Sequence, residues 1–340
     1  MVDTGFDVSI IDAATAARLG LGAGTVRREA QPGGAVDMAA LPPTTLRIGS
    51  LDIDDVALTT VPLGGMAAVL GRPFHGILGH DVLERFVVDL DYPAGRIRFS
   101  DPRAWQPPAG AEALEVEIRK GEPLADGTLI TSSGLEVPGL FKLDTGSLDV
   151  AGLNLNFVRD HGVVGPEDRE LRAGGVAVGG GTEGRLFRAG ALVLGPRRLE
   201  RPLIGYTVDS AGFENREDAG TIGVGLLSLS RLVLDYTHGR VLFVGPASEP
   251  MPEDRTGMLI VSPGPAFDGL HVAIVMEESP AAEAGLAAGD RIVSLDGREG
   301  LSLSEARALQ RQDGPLEVVY LRDGDQRHTR LQRRPLIAME

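Results

Sequence analysis

The chain of 340 residues contains no cysteine. That excludes disulfides, thiolate metal sites and a cysteine nucleophile. It leaves the redox compartment open, since a cysteine-free chain tolerates either. Basic residues are scarce, with 33 Lys and Arg against 48 Asp and Glu and a net charge of −15. Without a basic stripe to displace counterions from a phosphate backbone, no nucleic-acid partner is expected. An anionic membrane surface is an equally poor match. No run approaches the roughly 18 apolar residues of a membrane span. The nearest, VPLGGMAAVLG at 61–71, is short and broken by glycine. No signal peptide is visible at the N-terminus.

Other chemistries also lack their residues. The histidines show no metal spacing, and His75 and His80 read as loop residues without a third ligand. LDIDD at 51–55 is a charged hairpin arm and not a calcium loop. Ser132, Ser133 and Ser228 have no nucleophile-elbow context. The glycines of 174–181 are not followed by Lys-Ser/Thr, so they do not form a phosphate loop. No metal and no cofactor are expected.

What the chain does have is 46 glycines and 22 prolines, spread along its length, with 43% hydrophobic residues. This composition predicts many short strands joined by turns, in two or three domains. It also contains a repeat. Asp-Thr-Gly stands at Asp3-Thr4-Gly5 and again at Asp144-Thr145-Gly146. Downstream, residues 77–99 align without gaps on residues 221–243. Leu78-Gly79 matches Ile222-Gly223, Asp91-Tyr92 matches Asp235-Tyr236, and Gly95-Arg96 matches Gly239-Arg240. Two landmarks in the same order at nearly the same spacing predict two copies of one unit.

Each repeated Asp follows an apolar residue, Val2 or Leu143, at the predicted end of a strand. A carboxylate there is costly unless it is paired or hydrogen-bonded. If the two units pack face to face, the side chains of Asp3 and Asp144 meet. Two carboxyl groups at that range cannot both ionise, so one serves as general base and the other as general acid around one water.

With these motifs the chain resembles the aspartic peptidases, in particular bacterial retropepsin-like proteins that carry a PDZ domain. The resemblance covers about 245 residues and rests on the two DTG motifs together with Ile77-Leu78-Gly79 and Thr221-Ile222-Gly223. It implies a mainly β fold of two repeated acid-protease-like β-barrel lobes followed by an α+β PDZ domain, with lobe 1 at 1–105, lobe 2 at 106–247 and the PDZ domain at 255–335. It implies an endopeptidase acting on polypeptide substrates, with Asp3 and Asp144 catalytic and Thr4, Gly5, Thr145, Gly146 and Ser147 supporting them. The threonines would hydrogen-bond across the lobe interface. Ser147 and Ser9 fit the family pattern, whereas Phe6 and Val150 depart from it. A glycine-rich hairpin flap would lie over the cleft from each lobe, around Gly33-Gly34 and around Gly174–Gly181, with Gly174 and Gly175 among its residues. An ordinary flexible turn is the other reading of both stretches.

About 30 strand-like residues, 114–143, precede Asp144, whereas two precede Asp3. This predicts that the first lobe lacks its first strands and that the natural start lies upstream, or that a partner supplies them. Any signal peptide would be lost with that start, so the compartment stays open, with a periplasmic or secreted protein as the expectation. In the C-terminal segment, SPAAEAGLAAGDRIVSLDG at 279–297 resembles a bacterial PDZ domain. The resemblance implies binding of an extended peptide or protein C-terminus by strand addition, with Gly269, Leu270, His271 and Val272 as the candidate loop and strand. A domain serving only as a packing module is the other reading. For the whole chain, the alternative to a peptidase is a catalytically inactive peptide-binding protein on a degenerate protease scaffold, with Phe6 as its sign. The presence of both aspartates with their Thr-Gly neighbours favours the enzyme.

Overall fold

The computed structural model describes residues 1–22, 24–31, 33–208 and 217–338. The chain is mainly β, with short helices between its strands. Turn chemistry sets much of the local geometry. Helix Ala13–Arg18 is capped by Asp12, whose Oδ2 accepts the Thr15 N–H at 3.0 Å, and the chain leaves it through Gly20 at φ +67°. Residues Asp323 and Gly324, at φ +54° and +88°, form the tight turn between Gly314–Arg322 and Asp325–Arg333. Helix Pro280–Glu283 starts at Ser279, whose hydroxyl accepts the Ala282 N–H.

The two repeats build sheets in the same strand order. In the first, Val26–Gln31 and Gly34–Ala40 form a hairpin, followed by Thr59–Val61, Ile10–Asp12 and Gly76–Ile77. In the second, the hairpin Leu171–Ala177 and Gly180–Arg188 is followed by Leu203–Thr207, Ala151–Leu153 and Gly220–Ile222. The sheet then continues through Glu136–Leu143 and Glu122–Ile130. In the first repeat, the place of Glu136–Leu143 is taken by Val2, which bridges Leu78 in parallel.

The homologous hairpins Val87–Asp91/Arg96–Ser100 and Arg231–Asp235/Arg240–Val244 join in one five-stranded sheet, with Leu90 opposite Leu232 and Val88 opposite Leu234. One core cluster therefore draws on both repeats: Val88, Leu90, Leu232, Leu234 and Phe243 belong to it together with Phe141. Each such fully buried side chain contributes roughly 1.5–3 kcal/mol. Trp105 packs on Val87, Val233 and Leu242 at the far face of the shared sheet.

The C-terminal unit is a separate sheet, ordered Met258–Val261, Leu270–Val275, Arg291–Leu295, Gly314–Arg322, Asp325–Arg333. Helix Leu303–Gln310 covers it, started by a capping box between Ser302 and Glu305. This unit is tied to the second repeat by buried Arg188, which forks onto Glu253 at 2.9 and 2.8 Å and donates to the Ile337 carbonyl.

Candidate active site

Both Asp-Thr-Gly motifs lie at the boundary between the repeats, and each is held by the same local wiring. Asp3 N–H donates to the Leu78 carbonyl at 3.1 Å, and Asp144 N–H to the Ile222 carbonyl at 2.9 Å. Leu78-Gly79 and Ile222-Gly223 thus run between the Asp-bearing segment and the strand that follows it. The glycines let them pass: a Cβ on Gly79 would lie 2.5 Å from the Val8 carbonyl oxygen, and one on Gly223 2.7 Å from that of Ser147. His80 and Val224 N–H groups then donate to the Phe6 and Ser147 carbonyls, each at 2.9 Å.

The threonines cross the boundary. Thr4 N–H donates to Thr145 Oγ1 at 3.2 Å and Thr145 N–H to Thr4 Oγ1 at 3.0 Å. Their hydroxyls donate in turn to the carbonyls of Leu143 (2.6 Å) and Val2 (3.1 Å) on the opposite repeat. This exchange brings the two aspartates together, each carboxyl group set against the glycine of the opposite motif. Gly5 and Gly146 N–H groups each donate to the Oδ1 of their own aspartate at 2.8 Å. Each glycine also makes room for the opposite carboxyl group. A Cβ on Gly5 would lie 2.5 Å from Asp144 Oδ2, and one on Gly146 would collide with Asp3 Oδ2.

Asp3 is 4% exposed. Burial first, and the Asp144 charge second, push its pKa up to about 8, despite the Gly5 N–H. Asp144 faces a cation that sequence reading passed over: Lys142 Nζ lies 3.4 Å from Asp144 Oδ2 and 3.4 Å from Glu122 Oε1. The only signal is the period of two, which puts residues 142 and 144 on one side of an extended segment. Tyr236, from the repeated Asp-Tyr pair, lies behind the site beside Thr4, with its phenol pushed up by burial and by both aspartates. His80 opens the short helix His80–Leu83 and does not lie in a loop, and its ring packs 5.4 Å from that of Tyr236.

The pair opens onto a cleft of about 1440 Å³. Phe6 lines it and packs against the apolar cluster of Ile10, Met38 and Phe74, so its ring is absorbed into the wall. Ser147 holds Asp144 Oδ1 with its N–H at 3.1 Å. Ser9 is fully buried and serves the scaffold, donating to Asp81 and accepting the Gly79 N–H. The two hairpins meet over the cleft at their tips: a Cβ on Gly34 would lie 2.8 Å from the Gly179 carbonyl oxygen, and one on Gly33 2.5 Å from that of Gly180. The second glycine-rich stretch, 174–181, spans its hairpin tip. Gly174 and Gly175 lie within strand Leu171–Ala177, opposite Glu183 and Thr182, and the turn is made by Val178-Gly179. Register decides this, and a glycine-rich stretch does not reveal its own register. Among the described residues no three His, Asp or Glu side chains gather in a way that could hold a metal ion.

Residues 271–322 match the family model described as PDZ domain. The C-terminal unit is a PDZ domain. No curated protein matches the chain. Among solved structures, a photosystem II D1 C-terminal processing protease is similar at 32% identity over 24% of this chain and 23% of that one, with a TM-score of 0.22. A retropepsin-like aspartic protease from Rickettsia conorii is similar at 12% identity over 40% of this chain and all of that one, with a TM-score of 0.29. Basic 7S globulin from soybean is similar at 13% identity over 72% of this chain and 87% of that one, with a TM-score of 0.35.

The expected peptide-binding strand of the PDZ domain needs correction. Leu270, His271 and Val272 lie on an interior strand, paired with Met258–Val261 on one side and with Arg291–Leu295 on the other. Gly269 just precedes it and accepts the Ser262 hydroxyl at 2.8 Å. A strand paired on both edges cannot take a third partner. The edge strand is Met258–Val261, beside helix Leu303–Gln310. Helix Gly64–Leu70 of the first repeat docks there. Its Ala68 carbonyl accepts the Ser262 N–H at 2.9 Å, and Arg307 Nη2 bridges the Val69 and Ile260 carbonyls at 2.8 and 3.0 Å.

Proposed function

We propose that this protein is an aspartic-type endopeptidase. The observation that carries the reading is that Asp3, buried, and Asp144, half-buried, are brought together by the crossed threonines at a cleft of about 1440 Å³ that both line. The protonated member donates to the carbonyl oxygen of the scissile bond. The ionised member takes a proton from water, whose oxygen attacks the carbonyl carbon. The roles reverse as the tetrahedral diol collapses and the amine leaves with a proton. The glycine N–H groups hold one oxygen of each carboxyl group, leaving the other to the reaction. The two hairpins over the cleft act as flaps that exclude water from a bound peptide. The PDZ domain, through the edge Met258–Val261, takes an extended peptide segment or a C-terminus once helix Gly64–Leu70 yields it.

The test is cleavage of an unfolded protein from about pH 3 to about pH 8, a range spanning ordinary and raised carboxyl pKa values. Wild type, Asp3→Asn and Asp144→Asn are compared. Cleavage by wild type and loss in each variant is expected. A folded wild type that cuts at no pH, or cutting that survives both changes, refutes the reading.

A further inference from the structure

The two halves of the Asp pair are not electrically equivalent. On the Asp144 side stands the Lys142 ammonium, two residues earlier near the end of strand Glu136–Leu143, 3.4 Å from Asp144 Oδ2. The side chains of Lys142 and Asp144 are 12% and 15% exposed, so water screens the pair weakly. Lys142 cannot swing away freely, because Glu122 on the adjoining strand Glu122–Ile130 holds it at 3.4 Å and the register sets Leu124 opposite Lys142. The other ionisable groups that face the pair are Tyr236 behind it and, on the Asp3 side, the Met1 amino group, which donates to the Gly76 carbonyl at 3.0 Å. Asp3 itself has no side-chain cation in contact among the described residues, and it is the more deeply buried aspartate.

We propose that Lys142 is a positioning residue that divides the roles of the pair: its ammonium holds Asp144 as the carboxylate and leaves the shared proton on Asp3. This rests on the peptidase reading above. In the first step Asp144 therefore accepts the proton of the water while the water oxygen bonds to the carbonyl carbon. Asp3 gives its proton to the carbonyl oxygen, and the products of that step are a neutral diol, protonated Asp144 and ionised Asp3. The free enzyme enters the reaction with the assignment already made.

Three variants test this in the full chain. Lys142→Met keeps length and removes charge, Lys142→Arg keeps charge, and Glu122→Gln removes the anion that partly offsets the ammonium. Two readouts are used: the acid limb of the kcat/KM profile, and carbon-13 NMR titration of the Asp carboxyl groups, which needs no activity. An opposite charge at this range lowers a carboxyl pKa by about one unit or more. The acid limb and the first carboxyl titration should therefore move up by about one pH unit in Lys142→Met, stay near wild type in Lys142→Arg, and move down in Glu122→Gln. An unmoved titration in both neutralising variants overturns the proposal. If Lys142→Met does not fold, the direction of the Glu122→Gln shift decides alone. If wild type cuts nothing, the peptidase reading falls, while the NMR titration still decides whether Lys142 sets the ionised member.

Discussion

Thr4 and Thr145 each give a backbone N–H to the other's hydroxyl, at 3.2 and 3.0 Å, across the boundary between the repeats. Thr4 is 1% exposed, so its partners have no water to turn to. Thr4→Val keeps the shape and removes the hydroxyl, which leaves the Thr145 N–H and the Leu143 carbonyl unpaired. The expected cost is about 2–4 kcal/mol, summed from the ordinary penalty of each stranded group. Thr4→Ser should recover most of it. Urea unfolding of the three proteins measures both, and equal stability of Val and Ser variants would contradict the role assigned to the hydroxyl.

Gly146→Ala tests the close approach of the two carboxyl groups. The added methyl would collide with Asp3 Oδ2. Moving one carboxyl group by about an ångström costs a reaction of this kind about a hundredfold. The variant should therefore lose at least that much cleavage rate with its circular dichroism unchanged. Near-normal turnover would show that the pair is not held where the reaction needs it.

The raised pKa of Asp3 makes stability depend on pH. In the unfolded chain its carboxyl group titrates near 4, whereas in the fold it titrates at about 8. The fold binds the extra proton, so this group's contribution is fully present below about pH 4 and is lost as pH rises through about 8. Asp3→Asn has no such loss. Its melting temperature should exceed that of wild type by more at pH 8 than at pH 5. A difference that does not grow with pH would show that Asp3 does not hold its proton in the fold.

Arg188 is 7% exposed and satisfies Glu253 together with the carbonyls of Arg201 and Ile337. Arg188→Met strands the two carbonyls, while Glu253, 34% exposed, turns to water. A loss of about 2–4 kcal/mol is expected from the two unpaired acceptors. Tryptic cleavage between the second repeat and the PDZ domain should then become faster. An unchanged digestion rate would show that Arg188 does not secure that junction.

Helix Gly64–Leu70 covers the PDZ edge through Ala68 and Val69. Arg307→Ala removes the bridge to Val69. Hydrogen exchange at residues 64–71 and at the edge strand Met258–Val261 should both quicken by about tenfold, the equivalent of one charge-assisted hydrogen bond. Quickening at one segment only would separate the docking of the helix from the order of the strand.

Much of this was legible in the chain. The short helices and hairpins follow from Asp12, Ser279, Gly20 and the Asp323-Gly324 turn, because caps and positive-φ turns act over two to four residues. Leu270–Val275 and Met258–Val261 are both short apolar runs, and only pairing shows which of them is the edge. The stretch 174–181 reads as a glycine-rich hairpin, but composition does not mark its register, so only pairing sets Gly174 and Gly175 in the strand and the turn beyond them. Lys142 is not legible as a site residue, because its meaning depends on the half-buried Asp144 carboxyl group beside it.

By itself the sequence determined that the chain is β-rich, that Asp-Thr-Gly stands in it twice, and where many of its turns fall. Those features are written in residue types and spacings a few positions apart. Only the tertiary structure decided that Asp3 meets Asp144, that the threonines cross, that Lys142 stands on one side of the pair, and that a helix of the first repeat lies against the PDZ edge. Each of these joins residues far apart in the chain. Such contacts come from burying common faces and pairing stranded polar groups across them, and those depend on where whole sheets pack.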